Sequence, residues 1–523
     1  MLPKRTPVSA RALAVALALA VLPSLSARAD VKLPAVFSSH MVLQREKPAP
    51  VWGQASAGEK VTVRFRDQEQ TTTAGDDGRW SVALDKLKAG GPDTLIVEGA
   101  NKITLDDVLV GEVWIGSGQS NMAGGVSSYL KGDEVLAKLA SQSYPTLRLC
   151  RGAGGGWSEA TPQTIPGFSA LLFSFGQQLN ADLDVPVGLI VGAVGGTPSG
   201  NWLSPEMLAQ DADAQKALKQ SAASDDFEAR LAQYERVHAR WRELAEAAKQ
   251  KGERVPGEPR KPVAVGEINR GSVGNLYARY ISPVAPFAIR GVLWDQGESG
   301  TAIQGLDQYA TMGALIRGWR AAFGQGDFPF LYVQKPSGGG CAWDDADPVT
   351  READAFTPLP LKPPTGGEGA SRELHLSIRN YPQTFMVAAR DLGSGIHPIN
   401  KSGYGQRAAR VALGAAYGQD VEIYGPIYQS HKVEGSKVRV KFDHVGKGLA
   451  WKHGEALQGF QVAGEDRVFH WADATIDGDA VIVSSDKVAK PVAVRYAWAS
   501  RSPWANLFNK DGLPAATFRT DSW

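Results

Sequence analysis

Residues 108–122 read VLVGEVWIGSGQSNM. The apolar run Val113-Trp114-Ile115 is short and stops at a glycine, as a buried strand does where it enters a loop. The turn beyond it holds one serine, Ser120, set between glutamine and asparagine. Read alone, Ser120 is either a nucleophile held at a strand end or a polar residue in a turn. The rest of the chain has to decide between them.

The same form recurs. GLIVGAVGGTPSGNW (188–202), IRGVLWDQGES (289–299), FPFLYVQKP (328–336) and QTFMVAARDLG (383–393) are each a short apolar run ending in a Gly-, Pro- or polar-rich loop. Between them, GFSALLFSFGQQLNADL (167–183) and DQYATMGALIRGWRAAFG (307–324) space apolar residues by three and four, the period of a helix with one buried face. Strand–loop–helix units in series predict an α/β fold: a mostly parallel sheet with helices on both faces. In such sheets chemistry gathers in the loops at the carboxyl ends of the strands.

The ends of the chain differ in texture. GRWSVALDKLKAGGPDTLIVEG (78–99), KVRVKFDHVGKGLAWKHG (437–454) and AVIVSSDKVAKPVAVRYAWAS (480–500) alternate with period two and turn often. They predict antiparallel β regions, with a β-sandwich at the C-terminal end. The first residues carry Lys4, Arg5 and Arg11, an apolar stretch at 12–22, and Ala27-Arg28-Ala29. This is the pattern of a cleavable export signal, its apolar part too short to cross about 30 Å of hydrocarbon. The predicted organisation is a signal peptide at 1–29, an N-terminal β domain at 30–105, an α/β domain at 106–418 and a C-terminal β-sandwich region at 419–523. Two insertions break the α/β pattern: a charged helical one at about 205–262, expected as a solvated helical hairpin, and a Pro-, Gly- and Asp-rich loop at about 337–373, placed at the border of a binding cleft. The expected location is periplasmic or secreted.

The charge balance, 56 basic against 55 acidic residues, gives no electrostatic case for nucleic acid or an anionic membrane as partner. The oligomeric state is open. The 14 tryptophans fill cores or stack on sugar rings. Cys150 and Cys341 are either a disulfide or two separate buried thiols. With no CxxC pair and scattered histidines, no structural zinc site is expected.

Ester hydrolysis needs a hydroxyl, a neutral imidazole within hydrogen-bond reach of it, and fixed N–H donors for the oxygen that becomes charged. Ser120 and His397 can supply the first pair. The Ser120 backbone N–H, an N–H of the Gly195-Gly196 turn and the Gln296 side-chain amide can supply the donors. Each motif lies beyond a predicted strand, so parallel strands would open all of them on one edge. Asn121, Glu298 and Lys401 read better as braces for these loops than as groups that touch substrate.

VLVGEVWIGSGQSNM, GLIVGAVGGTPSGNW, IRGVLWDQGES and GIHPINKSGYGQRAA (395–409) resemble, in order, the blocks of the SGNH/GDSL hydrolase superfamily, and within it the sialate O-acetylesterase-like branch. HMVLQREKPAPVWGQASAGEKVTV (40–63) and NLYARYISPVAPFAIRGVLW (275–294) extend the resemblance. It implies a three-layer α/β/α hydrolase domain flanked by the β regions. It also implies Ser120 as nucleophile, His397 as base, and a glycine of the 195–196 pair (Gly195 preferred) and Gln296 as oxyanion donors. The family usually has an aspartate two or three residues before the histidine; here stand Gly395 and Ser394. Either a backbone carbonyl of Ser394 or Gly395 orients the ring, the preferred arrangement, or a carboxylate does so from Asp391 or the 344–347 loop. The resemblance implies removal of O-acetyl groups from a carbohydrate and points to O-acetyl sialic acid; the export signal, the flanking β regions and the 14 tryptophans fit a larger glycan, which places hemicellulose (xyloglucan or xylan) slightly ahead. The alternatives are an inactive glycan-binding protein and a lipase or thioesterase of the same superfamily.

Overall fold

The computed structural model describes residues 30–152, 154–334, 344, 346–351, 356–364, 366–393 and 395–523. The proposed signal at 1–29, Cys341 and Ser394 lie outside the described residues.

The chain is a mixed α/β protein built on one large sheet. Along its main path the strands run Thr384–Val387, Phe330–Val333, Gly291–Asp295, Lys102–Gly118, Val187–Ala193, Tyr144–Cys150 and Trp157–Ala160. The first six are parallel and the last, at the edge, is antiparallel. Successive strand residues face opposite sides, as the period-two geometry requires. Val113, Ile115, Val292, Trp294, Phe330 and Tyr332 join one buried cluster, whereas Trp114, Leu189, Leu293, Leu331 and Val333 join another.

Helices cover both faces. Gln308–Phe323 contributes Met312, Leu315, Ile316 and Trp319 to the first cluster. Ala170–Leu183 and Lys401–Tyr417 contribute Leu172, Phe175, Tyr404 and Val411 to the second. Each starts on a side-chain cap: Asp307 accepts from the Ala310 N–H, Ser169 from Leu172 and Asn400 from Gly403. Gly324 and Gly418, at φ +65° and +66°, end two of them.

The Lys102–Gly118 strand serves two sheets. Its first half pairs antiparallel with Gly90–Glu98, which continues through Lys60–Phe65 to Gln68–Thr73, and parallel with Val42–Gln44. Its second half is the central strand of the parallel array. Gly111 marks the change: a Cβ there would stand 1.9 Å from the Pro186 carbonyl oxygen, which accepts the Glu112 N–H at 2.8 Å. The expected boundary at residue 105/106 thus falls inside a strand rather than in a linker.

At the C-terminal end, Asp473–Asp477, Ala480–Ser484, Lys437–Asp443 and Ile427–Glu434 form one antiparallel sheet. Phe469–Trp471, Phe460–Ala463, Ala493–Tyr496 and Phe518–Arg519 form another. They share a core of Val438, Val440, Val481 and Val483 with Phe460, Val462, Val494 and Tyr496.

The insertions differ from expectation. After Pro205–Gln210 and Ala212–Ser224 comes one long helix, Phe227–Lys251, whose only buried residues are Ala245 and Ala248. Its return is extended, not a second helix, because Pro256, Pro259 and Pro262 remove backbone donors and the space a helix needs. The Trp241 indole N–H donates to the Pro256 carbonyl at 2.9 Å and holds the return against the helix. Residues 356–360 of the second insertion lie on the C-terminal sheets, where the Trp471 indole donates to Pro360 O at 2.7 Å and Leu359 packs on the core. The tryptophans go largely to cores: Trp114, Trp202, Trp294, Trp319 and Trp498 are fully buried, so their number says little about sugars.

Candidate active site

The strand that carries the serine motif ends at Gly118, at φ +123°. A Cβ there would stand 2.1 Å from the Asp295 carbonyl oxygen, so glycine is required. Gly118 is in register with Ala193 on one neighbour and Asp295 on the other. Just beyond, the Gln119 N–H donates to Asp295 O at 2.8 Å and the Val194 N–H to Gly118 O at 3.1 Å. Three loops therefore leave the sheet side by side. The chain turns at once into the short helix Ser120–Ala123, burying Gln119, Asn121 and Met122 and leaving Ser120 partly open.

Gly195 lies against the serine: a Cβ on it would be 3.5 Å from Ser120 Cβ. Gly196 comes next at φ +68°, and the Thr197 hydroxyl closes the turn on Val194 O at 2.8 Å. Gln296 is buried, and its amide is already engaged. It donates to Gly300 O at 2.9 Å and to Thr197 O at 3.4 Å, while its oxygen accepts from the Gln308 amide at 2.9 Å. In this arrangement Gln296 braces the two glycine-bearing loops together.

His397 sits exposed on the loop between Thr384–Val387 and Lys401–Tyr417. Both of its neighbours are tied to the residue after Ser120. The Asn121 amide donates to Ile396 O at 3.1 Å; the buried Lys401 ammonium donates to Asn121 Oδ1 at 2.9 Å and to Pro398 O at 2.6 Å. This clamp brings the histidine loop to the serine turn.

No described residue hydrogen-bonds the His397 imidazole. Asp391, weighed as its orienting carboxylate, is instead fully buried and paired with Arg407, a residue of the Lys401–Tyr417 helix. In the acidic loop, Asp344 and Asp347 accept from the backbone N–H groups of Ala346 and Val349. Gly395 is left-handed at φ +79°.

Three features escaped the sequence reading. Gln119 donates to Glu298 and ties the serine turn to the 296–300 loop. Asp133 accepts from the Ser402 N–H at 2.8 Å and from its hydroxyl at 2.7 Å, fixing the start of the helix that carries Lys401. Arg270, in the segment after the helical insertion, has a guanidinium nitrogen 3.5 Å from where a Cβ on Gly196 would stand. No local motif marks any of them; each contact joins residues far apart in sequence.

Away from this edge, burial pushes the Cys150 thiol up to about 12, so it stays protonated and unreactive. His40, Asp107 and Glu159 come together, but the Arg148 guanidinium sits among them, 2.8 Å from Asp107 and 3.0 Å from Glu159. Among the described residues no helix is long and apolar enough to cross a membrane.

A parallel sheet with a serine, a glycine turn and a histidine loop joined at its carboxyl edge has the form of an ester hydrolase. A solved carbohydrate acetylesterase from Xanthomonas citri is 30% identical to this chain, with a TM-score of 0.73, and the match covers 94% of this chain and 100% of that one. The sialate O-acetylesterase of Rattus norvegicus is 29% identical over 437 residues, 74% of each chain, and that of Homo sapiens is 26% identical over 526 residues, covering 91% of this chain and 89% of the human protein. No family model matches. The chain belongs to the sialate O-acetylesterase-like carbohydrate acetylesterases, and it is a hydrolase of acetyl esters on carbohydrates.

Proposed function

We propose that this protein is an exported serine esterase of the SGNH type, whose three-layer α/β/α hydrolase domain, at about 106–418, shares the Lys102–Gly118 strand with the β region at 30–105 and is followed by the β-sandwich region at 419–523. Ser120 Oγ attacks the acetyl carbonyl as His397 takes its proton. The sugar leaves with that proton, and water activated by His397 releases acetate from acetyl-Ser120. The oxyanion donors are the backbone N–H groups of Ser120 and of Gly195 or Gly196. The Gln296 amide joins them by giving up its long 3.4 Å bond to Thr197 O for the charged oxygen. A carbonyl of Ser394 or Gly395 orients the imidazole, in keeping with the commitment of Asp391 to Arg407. Hemicellulose such as xylan or xyloglucan stands slightly ahead of O-acetyl sialic acid as substrate. No metal or organic cofactor takes part.

The observation that carries this reading is the clamp through Asn121 and Lys401, which holds both neighbours of His397 beside Ser120. The test is acetate release from 4-nitrophenyl acetate, acetylated xylan, acetylated xyloglucan and O-acetyl sialic acid. Ser120→Ala and His397→Ala are each expected to lower kcat by about 10⁴-fold or more while remaining folded. Activity retained in Ser120→Ala would overturn the reading.

A further inference from the structure

The segment 264–276 is fastened along its length. The Gly266 N–H donates to Gln304 O at 2.8 Å, the Gln304 N–H to Glu267 O at 2.9 Å and the Asn269 N–H to Ala302 O at 2.9 Å, around a bridge between Ile268 and Ile303. On the other side, the Gly274 N–H donates to Gly200 O at 3.2 Å. Between these two anchorages Gly271, at φ +75°, passes beside Asn201. Arg270 stands between the anchorages, with its guanidinium against Gly196 of the glycine turn, whose other member lies on Ser120.

Arg270 is exposed and has no hydrogen bond, ion pair or ring contact with any described residue. Other arginines that flank the sheet are committed: Arg290 to Glu112, Arg317 to Asp211, Arg407 to Asp391. The acids closest to it in the chain or in the site are also engaged, Glu298 with Gln119 and Glu267 with the Ala264 N–H. The backbone anchors the segment on both sides of Arg270, and its guanidinium lies beside Gly196, next to the glycine that lies on Ser120.

A guanidinium presents a planar fork of donors that matches a carboxylate in two parallel hydrogen bonds. We propose that Arg270 is a specificity-determining residue that binds a carboxylate on the sugar bearing the acetyl ester, or on the sugar next to it. This rests on the serine-esterase reading and changes its substrate order: the substrate is an acidic glycan, either a uronic acid-bearing xylan or a sialic acid, and neutral xyloglucan drops behind both.

The test compares kcat/KM of the full chain on three substrates: an acetylated glucuronoxylan oligosaccharide, O-acetyl-N-acetylneuraminic acid and an acetylated neutral xylo-oligosaccharide. In Arg270→Ala the acidic-to-neutral ratio is expected to fall by roughly ten- to a hundredfold, chiefly through KM, with part of the loss restored in Arg270→Lys. In the wild type the ratio should also fall as salt is raised, since the contact is exposed. A fall in either acidic arm supports the proposal and names the source of the carboxylate. A ratio within about threefold of wild type in both arms, or a wild type that does not turn over either acidic substrate, overturns it. Because Arg270 packs on no core, an unchanged thermal midpoint separates this effect from misfolding. Acetate release surviving in Ser120→Ala would instead overturn the esterase reading, and this proposal with it.

Discussion

Lys401 is a buried cation whose ammonium serves two acceptors, Asn121 Oδ1 and Pro398 O, and lies 4.7 Å from the Tyr129 ring centre. Lys401→Met would leave both acceptors without this donor, at about 1–3 kcal/mol, and would free the histidine loop. We expect kcat to fall by about tenfold or more with little change in KM, together with a shifted pH profile, because the lysine acts through His397. A stability loss with kinetics and pH profile intact would reduce it to a structural group. Asp391→Asn separates two roles in the same way. It strands the Arg407 charge and should cost about 3–5 kcal/mol of stability, while the midpoint of the kcat/KM pH profile stays in place. A displaced midpoint would make Asp391 the partner of His397. At this scale the sequence exposed Ser120 and the glycine turn, because strand ends and close backbone approach leave a local mark. It could not show that Gln296 already has partners at 197, 300 and 308, or that Asp391 faces Arg407, since those partners come from other loops and helices.

Glu112 shows how electrostatics joins elements. It is fully buried on the Lys102–Gly118 strand and accepts from Gln44 at 3.0 Å, from Arg45 at 2.5 Å and from Arg290 at 2.6 and 2.9 Å. Burial pushes its pKa up, but the hydrogen bonds and charge of Arg290, with those of Gln44 and Arg45, outweigh it and hold the carboxyl below its ordinary range. A carboxyl with a depressed folded pKa stabilises fully above its unfolded value of about 4.3 and loses that contribution as pH falls through the folded value. Glu112→Gln should therefore lower Tm at pH 7, by about 3 kcal/mol of stability, and flatten the fall in Tm below about pH 4.5. Parallel slopes in scanning fluorimetry would show that the carboxylate is not the acid-sensitive link. Most strands and helices were legible from their periods. The long strand was not, because Asp106-Asp107 and the half-exposed alternation before them read as the end of one unit and the start of another.

Across the whole molecule, the C-terminal sheets are bound into the α/β core. Tyr424, Ile427 and Ala516 belong to the same buried cluster as Val292 and Phe330. Arg390 Nε donates to Ala515 O at 3.2 Å, the Asn509 amide donates to Tyr424 O at 2.9 Å, and the buried Arg372 donates to Ser500 O. Removing residues 419–523 should uncover this surface and leave the remainder insoluble; a soluble, cooperatively melting fragment would refute that. Composition and turn spacing predicted the three textures of the chain. They could not predict which seams would be buried, because seam residues carry no period of their own.

The strand common to the N-terminal sheet and the parallel array makes those two units poor candidates for modular shuffling. A recombination joint placed between them would have to preserve strand register, the Gly111 crossing and the hydrogen bonds on both sides of it. Scanning calorimetry should accordingly resolve no separate endotherm for the first hundred or so residues.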